Sequence, residues 1–76
     1  MRISMQEMGE QLKQRRQLLG LRQDQLAQLA GVSARTIQLV EQGKNNPSLE
    51  TLLQLADPLG LRLDLVLKEP GKTTEP

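Results

Sequence analysis

The stretch QDQLAQLAGVSARTIQLVEQG, residues 23–43, decides how this chain folds. Its first half sets Leu26, Ala27, Leu29 and Ala30 at helical spacing. Its second half sets Ile37 and Val40 three apart behind Ser33, whose hydroxyl can accept from the free amides that open a helix. Only Gly31 and Val32 lie between the two halves. Two short helices joined by so tight a glycine-containing turn make a helix-turn-helix unit, here over about residues 23–42.

Working outward, Gly20, Gly31, Gly43 and Gly60 each close a segment with helical apolar spacing, as a left-handed residue does at a helix end. They cut the chain into four helices. Ser4-Met5-Gln6-Glu7 is a capping box, so a first helix is expected from Met5 to Leu19, with Met5, Met8, Leu12 and Leu19 on one face. After the polar loop QGKNNP, Ser48 caps a fourth helix bearing Leu49, Leu52, Leu53, Leu55 and Ala56. Pro58 removes a hydrogen bond and presses on the carbonyl of Gln54, which predicts that the regular helix stops near Ala56.

Beyond Gly60 the apolar period changes from helical to alternating: Leu61, Leu63, Leu65 and Leu67 interleave with Arg62, Asp64, Val66 and Lys68. That predicts a strand over about residues 61–68. A lone strand leaves its backbone unpaired, and the simplest partner is the same segment of a second copy, antiparallel about a two-fold axis. The alternative is a fifth helix or an apolar tail folded on the core. Residues 69–76, ending PGKTTEP, read as a disordered tail.

Composition narrows the function. Seventy-six residues make a single domain, expected over residues 1–68, and without Cys or His there is neither a disulfide nor a zinc site, so no metal and no cofactor is expected. The apolar content rests on sixteen leucines with no Phe, Tyr or Trp. Such a set suits a small all-α core and argues against stacking on single-stranded nucleic acid. No apolar run reaches the roughly 20 residues of a membrane span, and MRISMQEMGEQ has no apolar signal core, which points to a cytoplasmic chain. With no His or Cys nucleophile, no glycine-rich phosphate loop and only scattered carboxylates, an enzyme with a small-molecule substrate is not expected. Net charge is +1, yet residues 1–48 carry seven basic against four acidic side chains and residues 49–76 three against five. An anionic partner would therefore meet the N-terminal part.

The run RQDQLAQLAGVSARTIQLVEQGKNNPSLETLLQLADPLGL, with its Gln23, Leu26-Ala27, Ala30-Gly31-Val32-Ser33, Ile37, Glu41-x-Gly43-Lys44 and Pro47-Ser48-Leu49-x-Thr51-Leu52, resembles the Xre/Cro/C1 helix-turn-helix regulators over roughly residues 8–61. The resemblance implies a lambda-repressor-like bundle of four short helices. It also implies a sequence-specific repressor that binds double-stranded operator DNA as a homodimer, with its second motif helix in the major groove. The leucine strand resembles that of small HipB-type antitoxins. This implies autoregulation of a type II toxin-antitoxin operon and a HipA-like kinase toxin as partner. The alternatives are a stand-alone or phage-type Xre repressor, or a toxin-binding interaction module with little DNA role.

Within that resemblance, Gln23 matches the position whose amide contacts a phosphate, a solvated first-turn residue being the other reading. Arg22 departs from the Thr or Ser that usually caps this helix. Burial of Ile37 and Val40 turns Ala34, Arg35, Gln38 and Leu39 outward. Arg35 can take the O6/N7 edge of guanine, Gln38 adenine or a phosphate, and the methyls of Ala34 and Leu39 suit thymine, unless Leu39 packs on protein. Ser33 and Thr36 combine capping with phosphate donation, and Lys44, Asn45 and Asn46 can clamp a phosphate from their loop. Glu41 would repel phosphate and reads as structural. Lys13, Arg15 and Arg16 add charge near the DNA backbone or form a solvated face. Leu61, Leu63, Leu65 and Leu67 carry the expected dimer contact.

Overall fold

The computed structural model describes residues 4–65 and 67. The chain forms α1 (Met5–Leu18), α2 (Gln23–Ala30), α3 (Ala34–Glu41) and α4 (Leu49–Ala56), then a 3₁₀ turn over Asp57–Leu59. α1 opens on the full capping box: the Glu7 amide donates to Ser4 Oγ at 3.0 Å and the Ser4 amide to Glu7 Oε1 at 2.9 Å. It ends one residue before the expected Leu19, which serves as the cap and is 43% exposed, so the apolar face closes at Leu12 rather than Leu19. Pro58 does end the regular helix at Ala56, the chain tightening into the 3₁₀ turn around it.

Gly20, Gly31, Gly43 and Gly60 all take positive φ, between 71° and 74°. Gly31 is the turn of the motif. Its amide and that of Val32 both return to the carbonyl of Ala27, which closes α2 and reverses the chain within two residues.

The core gathers Leu12, Leu26, Ala27, Ala30, Ile37, Val40, Leu55 and Leu59, with Leu21, Val32 and Leu52 packed around it. Each of the four helices contributes to it, as does Leu59 of the 3₁₀ turn. Leu29 and Leu53, placed on the apolar side by periodicity, lie instead 61% and 48% exposed.

α1 crosses the end of α3 closely enough that a Cβ on Gly9 would stand 2.2 Å from the Val40 carbonyl oxygen. A methyl there would meet backbone that cannot swing aside. Residues 61–65 belong to no helix, and among the described residues no strand pairing is formed. Val66, Lys68 and the tail 69–76 lie outside the described residues.

Candidate nucleic-acid interface

The orientation of α3 follows from what it buries. Ile37 and Val40 are 1% exposed on its inner side, while Ala34, Arg35 and Gln38 stand exposed on the outer side. Leu39 lies half-buried at the edge of that face and outside the core cluster. Ser33 caps the helix by accepting from the Thr36 amide at 3.0 Å, and the two hydroxyls share a further hydrogen bond of 2.9 Å. One proton serves that second bond, which leaves the other hydroxyl proton free to donate outward. Arg35 Nη1 donates to Gln38 Oε1 at 3.3 Å, so the two candidate base readers are side by side and in contact.

At the inner end of α3, Glu41 is the hub of a buried network. Arg16 Nε donates to its Oε2 at 2.6 Å and Arg16 Nη2 to its Oε1 at 2.9 Å, a bidentate pair whose side chains are 9% and 4% exposed. The third nitrogen, Nη1, donates to the Leu21 carbonyl at 2.8 Å. The hydrogen bonds that Arg16 donates to Glu41, against the cost of burial, hold the Arg16 pKa above its already high ordinary value. Glu41 is thus tied into the fold, its charge met by Arg16.

Arg16 corrects the reading of Lys13, Arg15 and Arg16 as one run of surface charge. Two of the three are spent within the fold, since Arg15 Nε also donates to the Leu59 carbonyl at 2.8 Å. Helical-face reasoning treats arginine as outward by default. The available signal was the solitary Glu41 beside Val40, which could be buried only with a cation.

Gln23 Nε2 donates to Glu41 Oε1 at 3.0 Å. The Gln23 side chain is therefore held at a fixed angle by the network behind α3, and its second amide proton remains to donate. Arg22, in the cap position, has no acceptor to offer. Its own amide is taken by Gln25 Oε1 at 2.8 Å, and its guanidinium turns to Asp24 at 3.1 Å. That hydrogen bond is the main reason the Asp24 carboxyl sits below its usual value.

The loop after α3 begins with Gly43 at φ 71°, pressed on α1 so that an added Cβ would fall 2.7 Å from the Gln6 Cα. From this fixed point Lys44 projects into solvent, its amide bonded to the Leu39 carbonyl at 3.0 Å. Asn45 is half-buried and spends its Oδ1 on the Asn46 amide at 2.9 Å, while Asn46 is exposed. Gly9 and Gln25, which had no role in the sequence reading, thus matter for how the site is held. A glycine inside a helix costs about 1 kcal/mol against alanine, and that is the signal Gly9 carried. Among the described residues no group of three His, Cys, Asp or Glu could hold a metal ion, and no helix is long and apolar enough to cross a membrane.

Comparison with known proteins agrees with this geometry. Residues 12–66 match the helix-turn-helix family model HTH_3. A transcriptional regulator of the HTH type from Haemophilus influenzae is 51% identical over 51 residues, 67% of this chain, and the chain spans about half (52%) of that relative's length. Among solved structures, the restriction-modification controller protein C.AhdI from Aeromonas hydrophila superposes with a TM-score of 0.73 at 34% identity, covering 76% of this chain and 88% of that one. The DNA-binding domain of the P22 c2 repressor superposes with a TM-score of 0.70 at 35% identity, covering 79% of each.

Proposed function

The chain belongs to the helix-turn-helix family HTH_3, and from that membership we propose that it is a sequence-specific DNA-binding transcriptional repressor acting on operator DNA as a homodimer. The observation that carries the reading is the seating of α3. Ile37 and Val40 clamp one side into the core while Ala34, Arg35 and Gln38 face solvent, and the one carboxylate on the helix, Glu41, is neutralised by Arg16. A helix so held offers a defined face to the major groove.

In this reading Arg35 takes guanine through its two forward nitrogens, Gln38 takes adenine, and Ala34 and Leu39 touch thymine methyls. Gln23, Ser33, Thr36, Lys44, Asn45 and Asn46 contact phosphates and set the register. The free proton of the Ser33–Thr36 pair and the second amide proton of Gln23 are the donors for this purpose. The finer reading, an antitoxin that also binds a HipA-like kinase toxin, draws its support from the alternating leucines 61–67. Co-purification of a kinase-like partner separates it from a stand-alone repressor.

The test is fluorescence anisotropy on labelled DNA from upstream of the chain's own gene, over a salt series. Arg35→Ala should cost about 1–3 kcal/mol and relax the preference at one base pair per half-site, whereas Lys44→Ala should weaken all sequences alike and lower the salt slope by about one. Equal effects of both on every sequence would remove Arg35 as a reader. Binding without salt dependence would remove the reading altogether.

A further inference from the structure

Between α1, α4 and the stretch after the 3₁₀ turn lies an open groove of about 570 Å³, within the range of about 300–1,000 Å³ usual for small-molecule pockets. None of its lining residues belongs to α2, to α3 or to the loop after α3, so it is separate from the candidate DNA interface. The lining is apolar apart from Gln11, Gln14, Arg15 and Arg62, and it includes no carboxylate. Within it Leu12 and Ala56 are buried, Leu52 is half-buried, and Leu61 and Leu63 are exposed. An apolar trough whose charges are all positive suits an apolar body with a negative end.

Arg15 fixes where that end goes. Its Nε donates to the Leu59 carbonyl at 2.8 Å, which holds the guanidinium in one plane and leaves Nη1 and Nη2 as a fork. Gly60 gives the fork room, since a Cβ there would stand 3.3 Å from Nη2. Although the side chain is half-buried, no carboxylate pairs with it among the described residues. Arg62, from the stretch after the turn, meets Asp64 at 3.8 Å with both side chains well exposed. That separation is too long for a hydrogen bond and an exposed pair of this kind contributes little, so Arg62 is available to another anion.

We infer that the groove is a binding site for a small monocarboxylate with an unbranched apolar chain. Its carboxylate is taken end-on by the Arg15 fork with Arg62 alongside, and its chain lies along Leu12, Leu52 and Ala56. A carboxylate matches the fork because two oxygens meet two parallel N–H groups, a bidentate arrangement that adds geometry to charge. The chain displaces water from leucines that the helices leave uncovered. The site depends on neither DNA binding nor dimerisation.

The probe is sodium octanoate, titrated into the isotopically labelled full chain and followed through the leucine methyl and arginine Nε–H signals by NMR. Saturable shifts should centre on Leu12, Leu52, Leu61, Leu63 and the Arg15 Nε–H, with a Kd on the order of 1 mM for a ligand of this size. Octanol should bind about tenfold more weakly and octylammonium more weakly still, because the charged hydrogen bonds are lost or opposed. From hexanoate to decanoate each added CH₂ should tighten binding about two- to fourfold. Arg15→Lys keeps a donor for the Leu59 carbonyl but loses the fork, and should weaken octanoate about tenfold. Arg62→Gln, at an exposed position, should weaken it about two- to fivefold, and it serves as the variant if circular dichroism shows Arg15→Lys unfolded. Octanol binding as tightly as octanoate would reduce the groove to bare apolar surface and overturn the site. So would octanoate shifts spread over all exposed leucines, or groove signals that respond to protein concentration and not to octanoate, which would give the groove to a second copy.

Discussion

Breaking the Arg16–Glu41 pair from one side should be far more damaging than replacing both members. Glu41→Leu leaves Arg16 with one of its three hydrogen bonds, that to Leu21, and an uncompensated charge at 9% exposure. Arg16→Met leaves a carboxylate at 4% exposure with only the Gln23 amide. At such burial solvent screens little, and each single change should cost about 3–5 kcal/mol. A 76-residue chain has in total about 4–11 kcal/mol of stability, so either variant sits at the edge of unfolding. At about 4–8 °C per kcal/mol, a loss of about 3 kcal/mol lowers Tm by about 12–24 °C. The double variant Arg16→Met with Glu41→Leu removes both charges and fills their place with apolar atoms, and should be close to neutral. Because the chain lacks Phe, Tyr and Trp, far-ultraviolet circular dichroism during urea unfolding is the suitable probe. A double variant that loses the sum of the two singles would show that the pair is not coupled and would refute the account of α3 as tied to α1 through Glu41.

Three further outcomes follow from the same geometry. Gly9→Ala gains helix propensity yet drives a methyl into the Val40 carbonyl, and overpacking of this kind outweighs the gain, giving a net loss of about 1–2 kcal/mol in urea unfolding; a stabilised variant would contradict the close crossing. Ser33→Ala and Ser48→Ala each remove a helix cap and should each cost about 1 kcal/mol of stability, but only Ser33→Ala should also weaken DNA binding, because Ser33 alone of the two is a candidate phosphate contact. The Asp24 carboxyl is held below its ordinary 3.8 by the hydrogen bond from Arg22, so the unfolded chain takes up that proton first. The stability from this pair is complete above the ordinary value and fades as pH falls through the lowered one. Asp24→Asn should therefore flatten the acid limb of a Tm against pH curve by lowering Tm slightly at neutral pH, where the pair contributes, while leaving the acid end unchanged; a steeper acid limb would reverse the assignment.

Helix ends were legible because each is fixed by chemistry a few residues long. The boxes and caps at Ser4, Ser33 and Ser48, the left-handed glycines and the stop at Pro58 all follow from local backbone requirements. The outer face of α3 was legible for a similar reason, since burying Ile37 and Val40 leaves no freedom in where Arg35 points. Long-range placements were another matter. Arg16 and Glu41 are 25 residues apart, and periodicity says nothing of which charges will meet across a helix crossing. Leu29 and Leu53 follow the apolar period and still lie outside, because four short helices bury a narrower stripe than their sequences offer. Gly9 carries meaning only once the distance to Val40 is known.

The division of labour within α3 bears on how such a protein can change its target. Stability is vested in Ile37, Val40 and Glu41, and the outer positions 34, 35 and 38 touch almost nothing of the fold beyond one another. Substitutions there are close to thermodynamically neutral, so on the proposed reading the address such a protein recognises can be rewritten one letter at a time on an unchanged frame. A combinatorial library at those three positions should yield folded members in the great majority, differing in the sequences they select.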